Sequence, residues 1–193
     1  MRKVFVSALL SSAFLFPMVS YAEGSYLKVG VGESTYAGVP STTGITINPN
    51  RTSTAGFIAY GRSIAPNFVA EIGYIDFGAA RKKSTLFGGD LVIVDQLKTQ
   101  SFYVAGVGDV PLSSLVSFQA KLGMVMHHTN THLSLPPFLT ENTTVNKTRA
   151  LVGAGIKFKF SKEISGVVEY TYFGTVVDGT ELSLLSAGLL YHF

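Results

Sequence analysis

The sequence predicts an all-β protein, an eight-stranded antiparallel transmembrane β-barrel. The carboxy-terminal segment closes on Tyr191-His192-Phe193 and has an apolar residue at every second position from Leu185 onward, which is the period of a strand with one apolar face. Hydrophobic residues make up 47% of the chain and charged residues only 14%. Beyond residue 22, no apolar run reaches the roughly 18 residues that a transmembrane helix needs. A closed sheet is the other structure that satisfies every backbone group in lipid.

The amino-terminal residues have the layout of a secretory signal peptide. Arg2 and Lys3 form a positively charged start, a mostly apolar run follows, and Ser20-Tyr21-Ala22 gives a small-x-small cleavage pattern. This layout predicts export to the bacterial outer membrane. The predicted domains are a signal peptide at 1–22 and an outer-membrane β-barrel domain at 23–193.

Charge and cysteine content exclude several other classes of protein. Removing Arg2 and Lys3 from the 15 basic residues leaves 13, against 12 acidic residues. A chain this close to neutral gives no reason to expect nucleic acid as a partner. No cysteine is present, so neither a lipid attachment site nor a disulfide framework is expected. We also expect no cofactor.

The first four predicted strands alternate apolar residues with polar or small ones. In the first, Leu27, Val29 and Val31 face one way and Lys28 faces the other. The predicted strands are 25–36, 54–63, 67–77 and 98–108.

The second half of the chain repeats this pattern, most regularly in the fifth strand. There Val116 to Met126 has an apolar residue at each even position, and Val125 alone interrupts the polar side. The predicted strands are 115–128, 147–160, 163–173 and the carboxy-terminal segment.

The connections between these strands alternate in length. Those at 65–67, 109–114 and 161–163 are short, whereas those at 37–53, 78–97 and 129–146 are long and rich in Thr, Ser, Asn, Gly and Pro. Outer-membrane barrels have this asymmetry, with short periplasmic turns and long extracellular loops. The long loops are therefore the predicted surface of interaction.

Several short motifs resemble the OmpA-like eight-stranded transmembrane domain. They are Asn-Phe-Val-Ala-Glu-Ile-Gly-Tyr at 67–74, Lys-Leu-Gly at 121–123, Val-Gly-Ala-Gly at 152–155, Glu-Ile at 163–164 leading to Glu-Tyr at 169–170, and the closing Tyr-His-Phe at 191–193. The resemblance covers the whole mature chain but not the peptidoglycan-binding domain of full-length members. It implies a structural or surface-interaction barrel that is not an enzyme. It also implies that Tyr191 and Phe193 are a carboxy-terminal assembly signal for the barrel-assembly machinery.

Four charged residues are predicted to face the interior of the barrel. The alternation places Glu71, Lys121, Lys157 and Glu169 there. An eight-stranded barrel is just wide enough for its side chains to fill, and buried charges need partners. We therefore predict a structural network of two carboxylates and two ammonium groups. A narrow ion channel, gated by rearrangement of that network, is the alternative.

The long loops contain candidate contact residues. Arg81, Lys82 and Lys83 could meet lipopolysaccharide phosphates or sulfated host glycans, and Phe138 belongs to an apolar stretch in the third loop. The expected partners are outer-membrane lipid, lipopolysaccharide, and host surface or matrix molecules. The alternative role for the basic trio is a solvated loop end that anchors the barrel at the anionic outer leaflet.

The histidines suggest two further hypotheses. His127, His128 and His132 could ligate a metal, but no carboxylate shares the stretch, so no metal site is predicted. The same stretch faintly resembles the His-x-Ser-Asn motif of lipid A deacylases, with Thr129 in place of the serine nucleophile. A lipid A-modifying enzyme and a soluble ligand-binding barrel, with its apolar face inward, therefore remain as alternative functions.

Overall fold

Eight antiparallel strands follow one another around a closed barrel in the computed structural model. The structure describes residues 24–38, 51–86, 91–135, 139–177 and 179–193. The predicted signal peptide, most of the segment 37–53, and Phe138 lie outside the described residues. The strands are β1 (Ser25–Ala37), β2 (Arg51–Ala65), β3 (Phe68–Leu86), β4 (Leu91–Pro111), β5 (Val116–Leu135), β6 (Leu139–Lys159), β7 (Ile164–Val177) and β8 (Thr180–His192).

The first and last strands close the barrel. Val29 of β1 pairs with Leu189 of β8, and the ladder between the two strands runs from Tyr26 to Ala37. All neighbouring strands pair antiparallel, as the predicted eight-stranded architecture requires. The described residues contain no helix long and apolar enough to cross a membrane.

The outer surface of the barrel is an apolar belt. Leu122, for example, is 68% exposed, whereas the neighbouring Lys121 is 5% exposed and points inward. The apolar face therefore points outward, which is opposite to the soluble ligand-binding alternative, and burying it requires lipid. Its members include Leu27, Val29, Val31, Ile58, Ile72, Phe102, Val104, Leu122, Met124, Val152, Val168, Leu185 and Leu189.

Aromatic side chains lie near the edges of this belt. The Tyr74 and Phe102 rings are 4.9 Å apart at the end of the barrel that carries the long hairpins. At the opposite end, with the short turns, the rings of Tyr60 and Phe193 are 6.4 Å apart. Rings at both edges of the belt suit the two membrane–water interfaces.

The strands β3 to β6 extend well beyond the predicted strand ends. Most of 78–97 and 129–146, which we predicted as long loops, is paired strand: Leu86 pairs with Leu91, and Leu135 pairs with Leu139. The predicted strands for this part of the chain are at most slightly longer than the roughly 9–11 residues needed to cross lipid. Beyond the belt, both faces of a strand can meet water, so no alternation marks its continuation.

These extensions form a single sheet above one side of the barrel, which we term the protruding sheet. It comprises residues 79–86, 91–98, 130–135 and 139–150. Pairing between β4 and β5 continues up to Val94 and Ser134, which joins the two hairpins. By contrast, the pairing of β6 with β7 starts only at Val152. The barrel wall is therefore tall on the β3–β6 side and low on the side of β7 and β8.

Candidate functional site

A cluster of charges occupies the interior of the barrel, and Glu71 of β3 is at its centre. The Glu71 carboxylate lies 2.9 Å from the Nζ atoms of both Lys28 and Lys121. It also accepts hydrogen bonds from the hydroxyls of Tyr26, at 2.6 Å, and Tyr103, at 2.7 Å. The side chain of Glu71 is 0% exposed. Four donors therefore replace the water that this carboxylate loses on burial.

A second carboxylate balances the charge of the cluster. Glu169 of β7 lies 2.6 Å from Nζ of Lys121 and 3.6 Å from Nζ of Lys28, and it accepts a 2.7 Å hydrogen bond from Thr171. Two ammonium groups face two carboxylates, so the cluster is neutral overall. Its charged members come from β1, β3, β5 and β7, and they cross-link opposite sides of the wall.

The position of Lys157 differs from the prediction. Its ammonium group pairs with Asp109, nearer the short-turn end of the barrel, while Lys28 provides the second ammonium group of the cluster. Alternation in the sequence shows that Lys157 faces inward. It does not show the height of the side chain along the barrel axis, which depends on the stagger between strands.

An apolar layer fills the lumen on the long-hairpin side of the charge cluster. The rings of Phe77 and Phe173 meet edge to face, with centroids 5.0 Å apart, and Val125 is fully buried beside them. The open space next to the charge cluster is about 10 Å³, close to the minimum that a single water molecule needs. Both layers together block a continuous aqueous path through the described lumen.

His127 is part of this layer. Its Nε2 is 3.0 Å from the carbonyl oxygen of Phe173, and its Nδ1 is 2.7 Å from the hydroxyl of Ser101. A carbonyl can only accept, so Nε2 carries the proton and Nδ1 accepts from Ser101. Both nitrogens of this buried ring are therefore satisfied within the barrel wall.

The other histidine hypotheses gain no support from the geometry. His128 points outward and its Nδ1 is 2.7 Å from the side-chain oxygen of Asn146. Among the residues that the structure describes, no three His, Cys, Asp or Glu side chains come close enough to hold a metal. Thr129, the position of the serine in the deacylase motif, is fully buried, and its hydroxyl is 3.1 Å from that of Thr99.

A polar ring lies on the outer surface, just beyond the belt at the long-hairpin end. Asp76 accepts a 2.8 Å hydrogen bond from Gln100 and lies 3.6 Å from Nζ of Lys98. On the neighbouring strands, the side-chain oxygen of Asn130 accepts from the hydroxyl of Thr144 at 2.8 Å. These hydrogen-bonding groups mark where the wall leaves lipid and enters the headgroup region or water.

Three of the four predicted contact residues belong to the protruding sheet. The backbones of Arg81, Lys82 and Lys83 lie on β3, where they pair with Gln96, Asp95 and Val94. They are therefore strand residues and not loop residues. On the low side of the wall, Glu33 of β1 and Glu181 of β8 have exposed side chains near the rim.

The carboxy-terminal aromatic residues face outward at the short-turn end. Tyr191 is 55% exposed and Phe193 54% exposed, with their ring centroids 6.2 Å apart. The Phe193 N–H donates to the carbonyl of Ser25 at 3.1 Å. The last residue is thus held against the first strand while its ring remains on the lipid side.

The geometry described so far is that of a transmembrane barrel with a filled lumen. The family model described as the OmpA-like transmembrane domain matches residues 21–193. The chain belongs to this OmpA-like family. Sequence comparison with curated proteins finds no match.

Solved barrels share the fold of this OmpA-like chain. It is similar to Ail, the attachment invasion locus protein of Yersinia pestis, solved in complex with the heparin analogue sucrose octasulfate (TM-score 0.57, 17% identity, covering 89% of this chain and 99% of Ail). It is also similar to Neisserial surface protein A (TM-score 0.58, 15% identity, covering 88% of this chain and 97% of that protein). A third similar structure is the N-terminal barrel of Pseudomonas aeruginosa OprF (TM-score 0.54, 9% identity, covering 87% of this chain and 98% of that barrel). Family and neighbours indicate the bacterial outer membrane.

Proposed function

We propose that this OmpA-like barrel is a surface-interaction protein that contacts host or matrix molecules through the protruding sheet. The observation that carries the proposal is the unequal height of the wall. The belt needs only strands of membrane length, yet β4 has 21 residues and β6 has 21, against 13 each in β1 and β8. A barrel whose sole role was to span lipid would need no such sheet. The protruding sheet is on the cell exterior in this proposal, and the short turns face the periplasm.

Charge supports an anionic partner on the β3–β6 side. Arg81, Lys82 and Lys83 occur in consecutive positions of β3, and Lys98 is on the neighbouring strand. Basic residues close together in one part of a sheet raise the local concentration of anions. The structure of Ail in complex with a heparin analogue supports sulfated glycans as the partner class to test first. Phosphates of lipopolysaccharide are the second anionic partner that this face would fit.

We further propose a route of assembly. Residues 1–22 direct export as a cleaved signal peptide, and Tyr191 and Phe193 engage the barrel-assembly machinery. The outward orientation of both rings leaves them accessible on the last strand. The protein is not an enzyme in this proposal, since the His127 and Thr129 side chains that suggested catalysis are buried within the wall.

Cell-surface display tests the proposed function. Cells that display the intact barrel are compared with cells whose barrel has 131–143 replaced by an Asn-Gly turn, for binding to cultured cells, matrix proteins and immobilised heparin. A barrel with 39–50 shortened in the same way is the matched control. We expect loss of binding in the first variant only. Heat-shifted mobility on a gel confirms that all three barrels are folded.

A second set of variants tests the charge contribution. The triple substitution Arg81→Gln, Lys82→Gln and Lys83→Gln should weaken binding to heparin and remove most of its salt dependence. Glu33→Gln, which changes an exposed charge on β1 and away from the protruding sheet, should leave heparin binding unchanged. Absence of binding by the intact barrel to all three surfaces would leave a purely structural barrel.

A further inference from the structure

A cavity lies at the mouth of the lumen on the short-turn end of the barrel, opposite the protruding sheet. Its volume is about 590 Å³, within the roughly 300–1,000 Å³ of small-molecule sites, which occur in the mouths of β-barrels among other places. The side chains that line it carry ammonium, hydroxyl and imidazole groups. They include Lys157, Lys159, Lys162, Ser117, Ser165 and His192.

Strand alternation and one short turn bring these groups together. Lys157 and Lys159 are two residues apart on β6, so they share the lumen face, about 7 Å apart along the strand. The register places Ser117 of β5 opposite Lys157. It places Ser165 of β7 opposite Lys159. Lys162 follows in the turn between β6 and β7, so polar groups from three strands and a turn surround one space.

The cavity has more ammonium groups than carboxylates. Asp109 forms an ion pair with Lys157. Among the residues that the structure describes, no carboxylate pairs with Lys159 or Lys162, and both of these side chains are exposed. Even with the carboxylate of Phe193 counted against them, three ammonium groups face two carboxylates. An excess of positive charge in a concave site attracts anions.

The other polar groups at this end differ in what they leave free for a ligand. Glu163 accepts a hydrogen bond from Ser161 at 3.3 Å and is not part of the lining. Nε2 of His192 lies 3.0 Å from the hydroxyl of Ser165, so these two groups satisfy each other. By contrast, Ser117 is half-buried, and within the described part of the chain its hydroxyl makes no hydrogen bond. That hydroxyl is free to donate to a ligand.

We propose that this mouth cavity binds a phosphate ester, with the ammonium groups of Lys159 and Lys162 and the hydroxyl of Ser117 as donors. A phosphate monoester has three acceptor oxygens, which suits donors from β5, β6 and the β6–β7 turn, whereas a carboxylate has two. Hydrogen bonds from ammonium groups to phosphate are roughly twice as strong as those between neutral groups. The site is at the end opposite the protruding sheet, so it is additional to the proposed surface role.

Two sources carry this chemical group. One is a water-soluble phosphate ester, and the other is the headgroup of a phospholipid in the adjacent leaflet. The lining faces the lumen, whereas lipid surrounds the outside of the barrel, so a headgroup would have to reach over the rim. Glycerol 3-phosphate is the soluble probe of the site, and phosphatidylglycerol is the lipid probe.

The first test uses the full chain refolded in micelles of a detergent with a sugar headgroup, because a phosphocholine detergent would itself offer phosphate. Glycerol 3-phosphate and acetate are titrated at equal ionic strength while backbone amide resonances are followed by NMR. We expect millimolar glycerol 3-phosphate to shift the resonances of residues 157–165 saturably. Acetate should bind at least about tenfold more weakly, the ratio that corresponds to one charge-assisted hydrogen bond.

Single substitutions test the donors. Lys159→Gln and Lys162→Gln should each weaken glycerol 3-phosphate binding at least about tenfold. Arg62→Gln is the matched control, because Arg62 is exposed on β2, pairs with Ser25 at the same end of the barrel and lies outside the lining. It should change the affinity by less than about twofold. If Lys159→Gln does not fold, Lys162→Gln, in the turn, decides the question.

Lipid nanodiscs identify the source of the phosphate. If a soluble ester is the ligand, glycerol 3-phosphate shifts the same resonances in nanodiscs of phosphatidylcholine, and added phosphatidylglycerol has no effect. If a headgroup is the ligand, phosphatidylglycerol shifts them without any soluble ester. Either pattern supports the site, and the absence of both would reject it.

Three further results would overturn the proposal. They are no saturable shift with glycerol 3-phosphate in micelles, equal binding of acetate, and an equal loss of affinity in Arg62→Gln. The triple substitution Arg81→Gln, Lys82→Gln and Lys83→Gln should leave this binding unchanged; its loss there would assign the phosphate to the protruding sheet instead. The two sites therefore fail independently, since heparin binding depends on the basic trio and phosphate binding on Lys159 and Lys162.

Discussion

The imidazole of His127 donates from Nε2 to the carbonyl of Phe173 at 3.0 Å, within the barrel and at the level where β6 and β7 part. This contact has two consequences. It satisfies the Phe173 carbonyl at the point where the register of β7 against β8 shifts, and it holds β7 in the bulge around Gly174. A single buried side chain thus links the packing of the lumen to the height of the wall outside.

Replacement of His127 should therefore destabilise the barrel. His127→Leu retains most of the packing volume but leaves the Phe173 carbonyl and the Ser101 hydroxyl without their partner. Leaving buried polar groups unsatisfied costs about 1–3 kcal/mol of unfolding free energy, which urea titration of the refolded barrel in lipid vesicles would measure. His128→Leu is the matched control, since His128 is exposed and faces outward; a cost below about 0.5 kcal/mol is expected there. Equal costs would contradict the assigned role of His127.

The charge cluster leads to a second prediction about stability. Glu71→Ala leaves Lys28 and Lys121 facing each other in the lumen with only Glu169 to balance them. Breaking a buried ion pair on one side costs about 3–5 kcal/mol, so this variant should lose that much unfolding free energy or fail to refold. Lys157→Ala should cost less, because its pair with Asp109 lies nearer the mouth and retains 18% and 15% exposure. A larger loss of unfolding free energy in Lys157→Ala than in Glu71→Ala, measured by urea titration, would contradict the central position of Glu71.

The sequence predicted the barrel because alternation reports the radial direction of each side chain. That pattern correctly placed Glu71, Lys121 and Glu169 inside and Leu122 outside. It could not separate Lys28 from Lys157 as partners of the cluster, since both face inward and only the stagger of the strands decides their height. Asp109 falls in a predicted turn, so the sequence gives no signal for its pairing with Lys157.

The sequence predicts the protruding sheet and the apolar layer less well than it predicts the charge cluster. In the sequence Val125 only interrupts the polar side of β5, yet it is a fully buried member of the core. The apolar layer depends on Phe77 and Phe173 meeting across the lumen, and no local pattern reports such a contact. The bulge had one local sign, Gly174 next to Phe173, but a lone glycine does not by itself reveal a change of register.

The filled lumen predicts that the protein does not conduct ions. We expect the refolded barrel to show no resolved current steps in a planar bilayer, and Lys121→Ala to remain silent as well. Removing that ammonium group disturbs the charge cluster but leaves the apolar layer of Phe77, Val125 and Phe173 in place. Discrete steps from the intact barrel, altered in the Lys121→Ala variant, would support the gated-channel alternative instead.

The apolar belt gives the last prediction, which concerns the lipid itself. Leu122 lies near mid-height on β5 and is 68% exposed, so Leu122→Arg would place a charge in the hydrocarbon region. Arginine at the bilayer midplane costs about 2–4 kcal/mol of barrel stability, falling to about 0–1 near the interfaces. Asn130→Arg, on the same strand and the same face but within the polar ring, is the matched control. Urea titration in lipid vesicles should show a larger loss of unfolding free energy for Leu122→Arg than for Asn130→Arg. Equal losses would mean either that lipid does not reach Leu122 or that it extends above Asn130.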